Sequence, residues 1–372
     1  MHVDRRDHHV GSAHARLARA TAPRRSSVLR RSAVLRRSAV PRRSAVLLVV
    51  GVAIGAGLGP RVPARAGWDW ARTEALAPGV QLGRTTLEKP PQPGLKCPQC
   101  ARFDPAAPRR VAVAFARVDL ARPGLRCEAT PRADGWGQPM PPHGDTTFPD
   151  LVIRTALQTV PDFAAAERAA GVPVVLAVNA SPWEPFVPGK AFAHADRLGL
   201  VVDDGVVVCP PAPGRPSLVI DRAGRATLRV VQPEEDLGAI ETAVSGFSFC
   251  LVDGEPSPPD EVLHPRTGYG LSADGRWLFI LVADGRQTTS QGLTVREVGE
   301  LLHEMGADDG INMDGGGSTT LVAKAAAGNE LRVVNSPSGG LRRNGANLVI
   351  AVDEPAARQI PRHADGMPDD GR

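Results

Sequence analysis

Apolar and polar residues alternate at period two through VAVAFARVDL, residues 111–120, and the alternation stops at Ala121-Arg122-Pro123-Gly124. A period of two sends successive side chains to opposite faces of a pleated strand, so this segment predicts a strand closed by a turn. PVVLAVNAS from Pro173 and WLFILVADGR from Trp277 are apolar runs of strand length and predict buried strands. Shorter strands are expected at residues 79–87, 199–208, 217–221, 226–231 and 243–252, joined by Asp-Gly, Ala-Gly and similar turns. Further strands are expected in ADDGINMD, STTLVAK, LRVVNSP and NGANLVIAVDE. The helical period is rarer. PDFAAAERAAG has Pro161 for a first turn and Gly171 for an end. In the stretch from Thr294 to Met305, Thr294 and Glu297 form a T-x-x-E capping box, and Val295, Val298, Leu301, Leu302 and Met305 make one apolar face. Gly306 is its stop.

Strands therefore outnumber helices, and short turns join them. The pattern predicts an α+β (mixed α/β) fold: a strand-rich mixed sheet core with a few covering helices, in a single domain. Residues 67–110 read as a proline-rich lead-in carrying the first strand, 111–354 as the main domain, and 355–372 as a disordered tail.

Composition changes this picture mainly at the N-terminus. The formal net charge of the 372 residues is +4, but residues 1–66 hold 14 arginines against two aspartates, which leaves 30 basic and 38 acidic residues in the rest. A mildly acidic body argues against a nucleic-acid surface. The basic segment is low in complexity and repeats Ser-Ala-Val-Leu-Arg-Arg-like units. It leads into an apolar run over residues 45–58, too short for the roughly 20 residues of a bilayer crossing. Ala64-Arg65-Ala66 then offers a small-residue cleavage site, so residues 1–66 read as a basic segment plus signal peptide and predict export, with a membrane contact only through that segment. Export permits disulfides. The five cysteines, Cys97, Cys100, Cys127, Cys209 and Cys250, leave disulfides, buried thiols and a metal or redox centre all open, and their odd number leaves at least one unpaired.

The densest candidate chemistry is INMDGGGSTTLV, residues 311–322. Three consecutive glycines cost backbone entropy and add nothing to a core, so something must approach this backbone closely. No lysine follows them, which excludes a P-loop. An actin-like phosphotransferase would need a second, early Asp-Gly phosphate loop, and none is found. A loop whose bare amides and hydroxyls cradle an oxyanion beside Asp314 fits the residues better.

RTGYGLSADGRWLFILVADGR, then QGLTVREVGELLHEMGADDGINMDGGGSTTLV, then VVNSPSGGLRRNGANLVIAV, together with VVLAVNASPWEPF, resemble the phosphodiester glycosidase family over about residues 76–354. Where that family has two phenylalanines after the asparagine, this chain has Pro182-Trp183. The resemblance implies hydrolysis of a sugar-1-phosphodiester, and the export segment adds the expectation that the substrate is a cell-envelope or extracellular glycan. A phosphate monoester leaves C1 readily, so cleavage needs charge neutralisation on phosphate and a carboxylate for the oxocarbenium-like carbon or for water. Arg266 and Arg286 offer bidentate forks for phosphate oxygens, and Asp314 and Asp284 offer carboxylates, with Asp314 favoured as nucleophile or base. Gly315, Gly316, Gly317, Ser318 and Thr319 would contact substrate, and Asn179, Asn335 and Asn347 would bind sugar hydroxyls or brace the loops. His264 is a candidate acid or base, or a packing residue. No cofactor is required by these motifs; clustered aspartates are compatible with Ca²⁺ or Mg²⁺, though no EF-hand spacing is present. The other function class is a polysaccharide-binding or exopolysaccharide-assembly protein that keeps the pocket without turnover.

Overall fold

The structure is a computed structural model and describes residues 68–187, 190–325 and 328–353. These lie in one of two compact units of the chain, Val62–Arg372. The other unit, Met1–Arg61, lies outside the described residues, and so do the whole export segment and the tail from residue 354 onward.

Three sheets carry the fold. The largest has eight strands in the order Glu74–Ala77, Val80–Lys89, Arg109–Asp119, Trp277–Ala283, Arg266–Leu271, Asp309–Asn312, Ser248–Val252 and Glu255–Pro256. A second runs Leu331–Val333, Leu321–Lys324, Val174–Asn179, Asn347–Val352 and Leu125–Ala129. The third runs Val206–Cys209, Val201–Asp203, Ile240–Ser245, Pro216–Asp221 and Ala226–Val230. Their strand pairs are antiparallel, which corrects the expected mixed sheets. The reason lies in the connections: parallel neighbours need a crossover of a dozen or more residues, whereas turns such as the one at Gly275, φ +70°, fold a strand straight back on its predecessor. The fold is mostly β, with two α-helices among the described residues.

Several expected strands divide. Residues 199–208 form two strands, and residues 243–252 break at Gly246-Phe247. Ser318, expected in a strand, instead ends a 3₁₀ turn over Gly316–Ser318, and the strand starts at Leu321. Helix α1, Val160–Ala169, is capped by Thr159 and packs Phe163 against Val174, Ala177 and Val349 of the second sheet. Helix α2, Val295–Met305, forms the full Thr294/Glu297 capping box and ends at Gly306 with φ 115°. Its Val298, Leu301, Leu302 and Met305 cover one face of the eight-stranded sheet.

The opposite face of that sheet packs on the other two sheets through Leu82, Val118, Leu176, Tyr269, Ile280, Ile311 and Leu348. Tyr269 is fully buried, and its hydroxyl donates to the Asn179 carbonyl at 2.9 Å, tying two sheets together beneath the candidate site. Helix α2 lies so close to strand Ser248–Val252 that a Cβ on Gly299 would overlap the Cys250 carbonyl. Alanine is the better helix former by about 1 kcal/mol, yet Gly299→Ala is expected to destabilise the protein by about 2 to 3 kcal/mol through overpacking against a backbone that cannot yield. Denaturant midpoints check the sign; a gain in stability would show that the helix can move off the strand.

Cys97 and Cys100 form a disulfide, while Cys127, Cys209 and Cys250 are buried free thiols. Burial pushes the Cys127 thiol up to about 12, so it stays protonated at neutral pH.

Candidate active site

The register of three neighbouring strands gathers the candidate residues. Arg266 pairs with Ala283 and Gly268 with Asn312, so the start of Arg266–Leu271 meets the ends of Trp277–Ala283 and Asp309–Asn312 at one edge. Arg266, Asp284, Arg286 and Asp314 therefore leave the sheet from the same side, where loops sit on a rigid support.

They do not share one cavity. A cavity of about 260 Å³ is lined by Asp314, Gly315 and Gly316 with Arg266, Arg286, His264 and Arg342, and Gln99, Phe186, Phe247 and Met313 complete its wall. Asp284 lines a separate cavity with Arg84, Thr85, Ala112 and Asn335. Its carboxylate accepts from Asn335 Nδ2 at 2.8 Å and from the Ser336 amide at 3.1 and 3.0 Å. Burial raises its pKa, and these hydrogen bonds oppose the rise. These bonds tie it to the segment at Asn335 and Ser336.

The asparagines sit behind the loop. Asn179 is fully buried: its Nδ2 donates to the Asp314 carbonyl at 2.6 Å, and its Oδ1 accepts from Thr267 Oγ1 at 2.8 Å and the Thr320 amide at 3.1 Å. Asn335 Nδ2 also donates to the Thr319 carbonyl at 3.1 Å, and its Oδ1 accepts from the Leu321 amide at 2.9 Å. Asn347 is fully buried and accepts from Asn344 Nδ2 at 3.2 Å. The partners of these three side chains are other residues of the loops and strands behind the cavity. The Ser318 and Thr319 hydroxyls are likewise buried beneath the loop, without a hydrogen-bond partner among the described residues.

What comes close to the glycine backbone is arginine. A Cβ on Gly316, φ +63°, would lie 2.9 Å from Arg286 Nη2, and one on Gly317 would overlap the Arg342 guanidinium. A Cβ on Gly315 would lie 2.8 Å from the Pro265 carbonyl oxygen. Arg286 itself has φ 61°, a strained conformation for a side-chain-bearing residue and one that aims it back over the loop. Its Nη2 donates to His264 Nδ1 at 3.1 Å. Burial, and then Arg342, push the Arg286 pKa below its ordinary value. For Arg266 burial acts first, Asp260 opposes it from 3.9 Å, and Arg286 adds repulsion. Asp314 accepts the Gly315 amide on its own Oδ1 at 2.9 Å. Positive charge is thus concentrated around one carboxylate and a run of bare amides. Among the described residues no group of three or more His, Cys, Asp or Glu side chains is arranged to hold a metal ion.

His264 belongs to this cluster electrically. Burial, Arg266 and Arg286 lower its pKa to about 4, against an opposing pull from Asp260, so it is neutral near pH 7 and accepts from Arg286. As pH falls from about 6.5 to about 4, the unfolded chain binds a proton at this position before the folded one does, so folding loses stability across that window. Above about 6.5 both states are neutral here and the contribution to pH dependence vanishes. His264→Gln should flatten this part of the urea-midpoint profile; an unaltered slope would place the acid sensitivity elsewhere.

Arg342, Phe186, Phe247 and Gln99 escaped the sequence reading as site residues. In a chain with forty arginines a single one carries little information, and the available signal was the glycine-rich SGGLRRNG around Arg342.

Comparisons with known proteins bear on both the fold and this cavity. Residues 173–352, just under half of the chain, match the family model for phosphodiester glycosidase. The structure is similar to the catalytic domain of zebrafish N-acetylglucosamine-1-phosphodiester alpha-N-acetylglucosaminidase, auto-inhibited by its pro-peptide. The TM-score is 0.52 at 17% identity, over 75% of this chain and 85% of that one. A hypothetical protein from Synechocystis aligns with TM-score 0.51 at 10% identity, over 76% of this chain and 63% of that one. At these identities the likeness is one of fold. The SPbeta prophage-derived uncharacterized protein YomE of Bacillus subtilis (strain 168) is 26% identical over 186 residues, which is 45% of this chain and 26% of that protein's length. The chain thus matches about a quarter of that relative. Family and fold together support a hydrolase-type function. No helix among the described residues is long and apolar enough to cross a membrane.

Proposed function

We propose that the protein is an exported hydrolase that cleaves a sugar-1-phosphodiester in cell-envelope or extracellular glycans. The observation that carries this reading is the convergence of Arg266, Arg286 and Arg342 on one cavity with Asp314 and the Gly315-Gly316 backbone. After burial, Arg286 lowers the Arg266 pKa and Arg342 lowers that of Arg286, and a bound phosphate relieves this repulsion. The arginines hold the diester and neutralise the charge that grows on the departing phosphate monoester as the C1–O bond breaks. Asp314 stabilises the oxocarbenium-like carbon as nucleophile, or takes a proton from the attacking water. Neutral His264 aligns Arg286. Asp284 and Asn179 position the loops that carry these groups. Export rests on the basic and apolar pattern of residues 1–66.

The test is hydrolysis of a panel of sugar-1-phosphodiesters by the full chain in H₂¹⁸O, with and without chelator. Label in the released sugar supports glycosidic C–O cleavage. Label in phosphate would replace the reading with a phosphodiesterase, and binding without product would replace it with a polysaccharide-binding protein. Loss of activity with chelator would add a cation to the site.

A further inference from the structure

Two aromatic side chains at the mouth of the cavity are left in water. Phe186 is 53% exposed and Phe247 41% exposed, although both line a pocket whose chemistry is otherwise polar and cationic. Neither is loose. The Phe247 amide donates to the Asn312 carbonyl at 2.8 Å, and Gly246 before it lies against the same carbonyl and Met313. The Arg215 guanidinium covers the Phe247 ring at 5.4 Å while its Nη1 donates to the Phe247 carbonyl at 3.3 Å. Phe186 is fixed by Arg342 at 4.8 Å from its ring and by Trp183 edge-on at 5.8 Å. The two residues attach to different ends of the glycine loop: Phe247 through its amide at Asn312, and Phe186, through Arg342, at Gly317.

Aromatic faces held beside a polar pocket have the make-up of a ligand site, which pairs aromatic walls with a few placed polar groups. The flanking guanidiniums select its occupant. An aliphatic aglycone laid on these rings would strip water from Arg215 and Arg342 without returning a hydrogen bond. A pyranose ring fits both demands, with a C–H face against the aromatic ring and hydroxyls at its edge for the guanidiniums.

We propose that Phe186 and Phe247 are sugar-stacking platforms on the two sides of the anion site, and that the ligand is a glycosyl-phosphate polymer bound through sugar units flanking one of its phosphodiesters. This rests on the reading of the cavity as a phosphodiester site. Because the two platforms are tied to opposite ends of the loop that carries Asp314, a sugar lies on each side of the phosphate. The protein therefore grips internal linkages more tightly than a small diester.

The experiment is binding, measured on the full chain by calorimetry against glycosyl-phosphate oligomers of one to four repeat units, with inorganic phosphate as the reference anion. Affinity should rise about tenfold from one unit to three in the wild type, as expected for one aromatic stacking contact. The quantity read is the ratio of oligomer affinity to phosphate affinity. That ratio should collapse to about its one-unit value in Phe186→Ala and in Phe247→Ala and return in the Phe→Tyr variants. An affinity independent of length in the wild type, or a length dependence kept by both alanine variants, overturns the proposal. So does an equal loss of phosphate and oligomer affinity that tyrosine fails to restore. Length-dependent binding without hydrolysis would sink the hydrolase reading and leave the platforms standing, whereas hydrolysis of a small diester with no length dependence would do the reverse.

Discussion

Asp314→Asn is expected to lower turnover of a sugar-1-phosphodiester by about 10³-fold or more, because it removes the charge and basicity that serve the reacting carbon or the attacking water. The substitution keeps the side chain's shape. An amide oxygen can still accept the Gly315 amide, as Oδ1 does now at 2.9 Å, and the backbone remains tied to Asn179 and Ala180. Affinity for inorganic phosphate should hold or rise, since a negative charge has left a cationic cavity. The check is kcat on a small diester beside a phosphate titration and a thermal melt. A variant that keeps its turnover would remove Asp314 from the chemistry. One that loses turnover and phosphate binding together would mean that the loop had collapsed.

The second large effect is expected from Arg286→Lys, with a fall of about 10²-fold in kcat/KM, carried by a hydrogen-bonding fork that lysine cannot supply. This substitution isolates geometry. Both residues carry a positive charge, and both meet the same strain at φ 61°, so neither net charge nor backbone preference separates them. What disappears is the planar guanidinium that lies over Gly316 and donates to His264 at 3.1 Å. The salt dependence of phosphate affinity should remain, because it follows charge, while kcat/KM falls. Unchanged kinetics would mean that Arg286 acts only as a point charge and that Arg266 and Arg342 supply the contact geometry.

The predictions differ in how much of their basis was legible in the sequence. Helix α2 was legible because its determinants are local: a capping box running from Thr294 to Glu297, an apolar face at helical spacing, and a glycine that takes φ 115° at its end. The glycine run was legible as a place of close approach, and the structure supplies the groups that approach it, the guanidiniums of Arg286 and Arg342. Asp284 and Asp314 looked alike, each ending an apolar strand before a glycine. They came apart because Asn335 and the Ser336 amide, far along the chain, turn the Asp284 carboxylate into a separate cavity. The expected mixed sheets failed for a related reason: hydrophobic period reports that a strand forms and which face it buries, not the direction of its neighbour.

By itself the sequence determined the strand-rich composition, the two helices and the caps of the second, the acidic body behind a basic N-terminal segment, and the family resemblance written in the Arg266, Asp284 and Asp314 motifs. These depend on neighbours a few residues apart, where propensity, capping and period act directly. Only the tertiary structure decided which carboxylate shares a cavity with the arginines and that Asn179 bonds to the Asp314 and Thr320 backbone. It also brought Arg342 from residue 342 onto Gly317 and left two phenylalanines standing at the rim. Those outcomes are set by antiparallel register and by side chains that meet across separate sheets, and such long-range pairings leave no trace in local pattern.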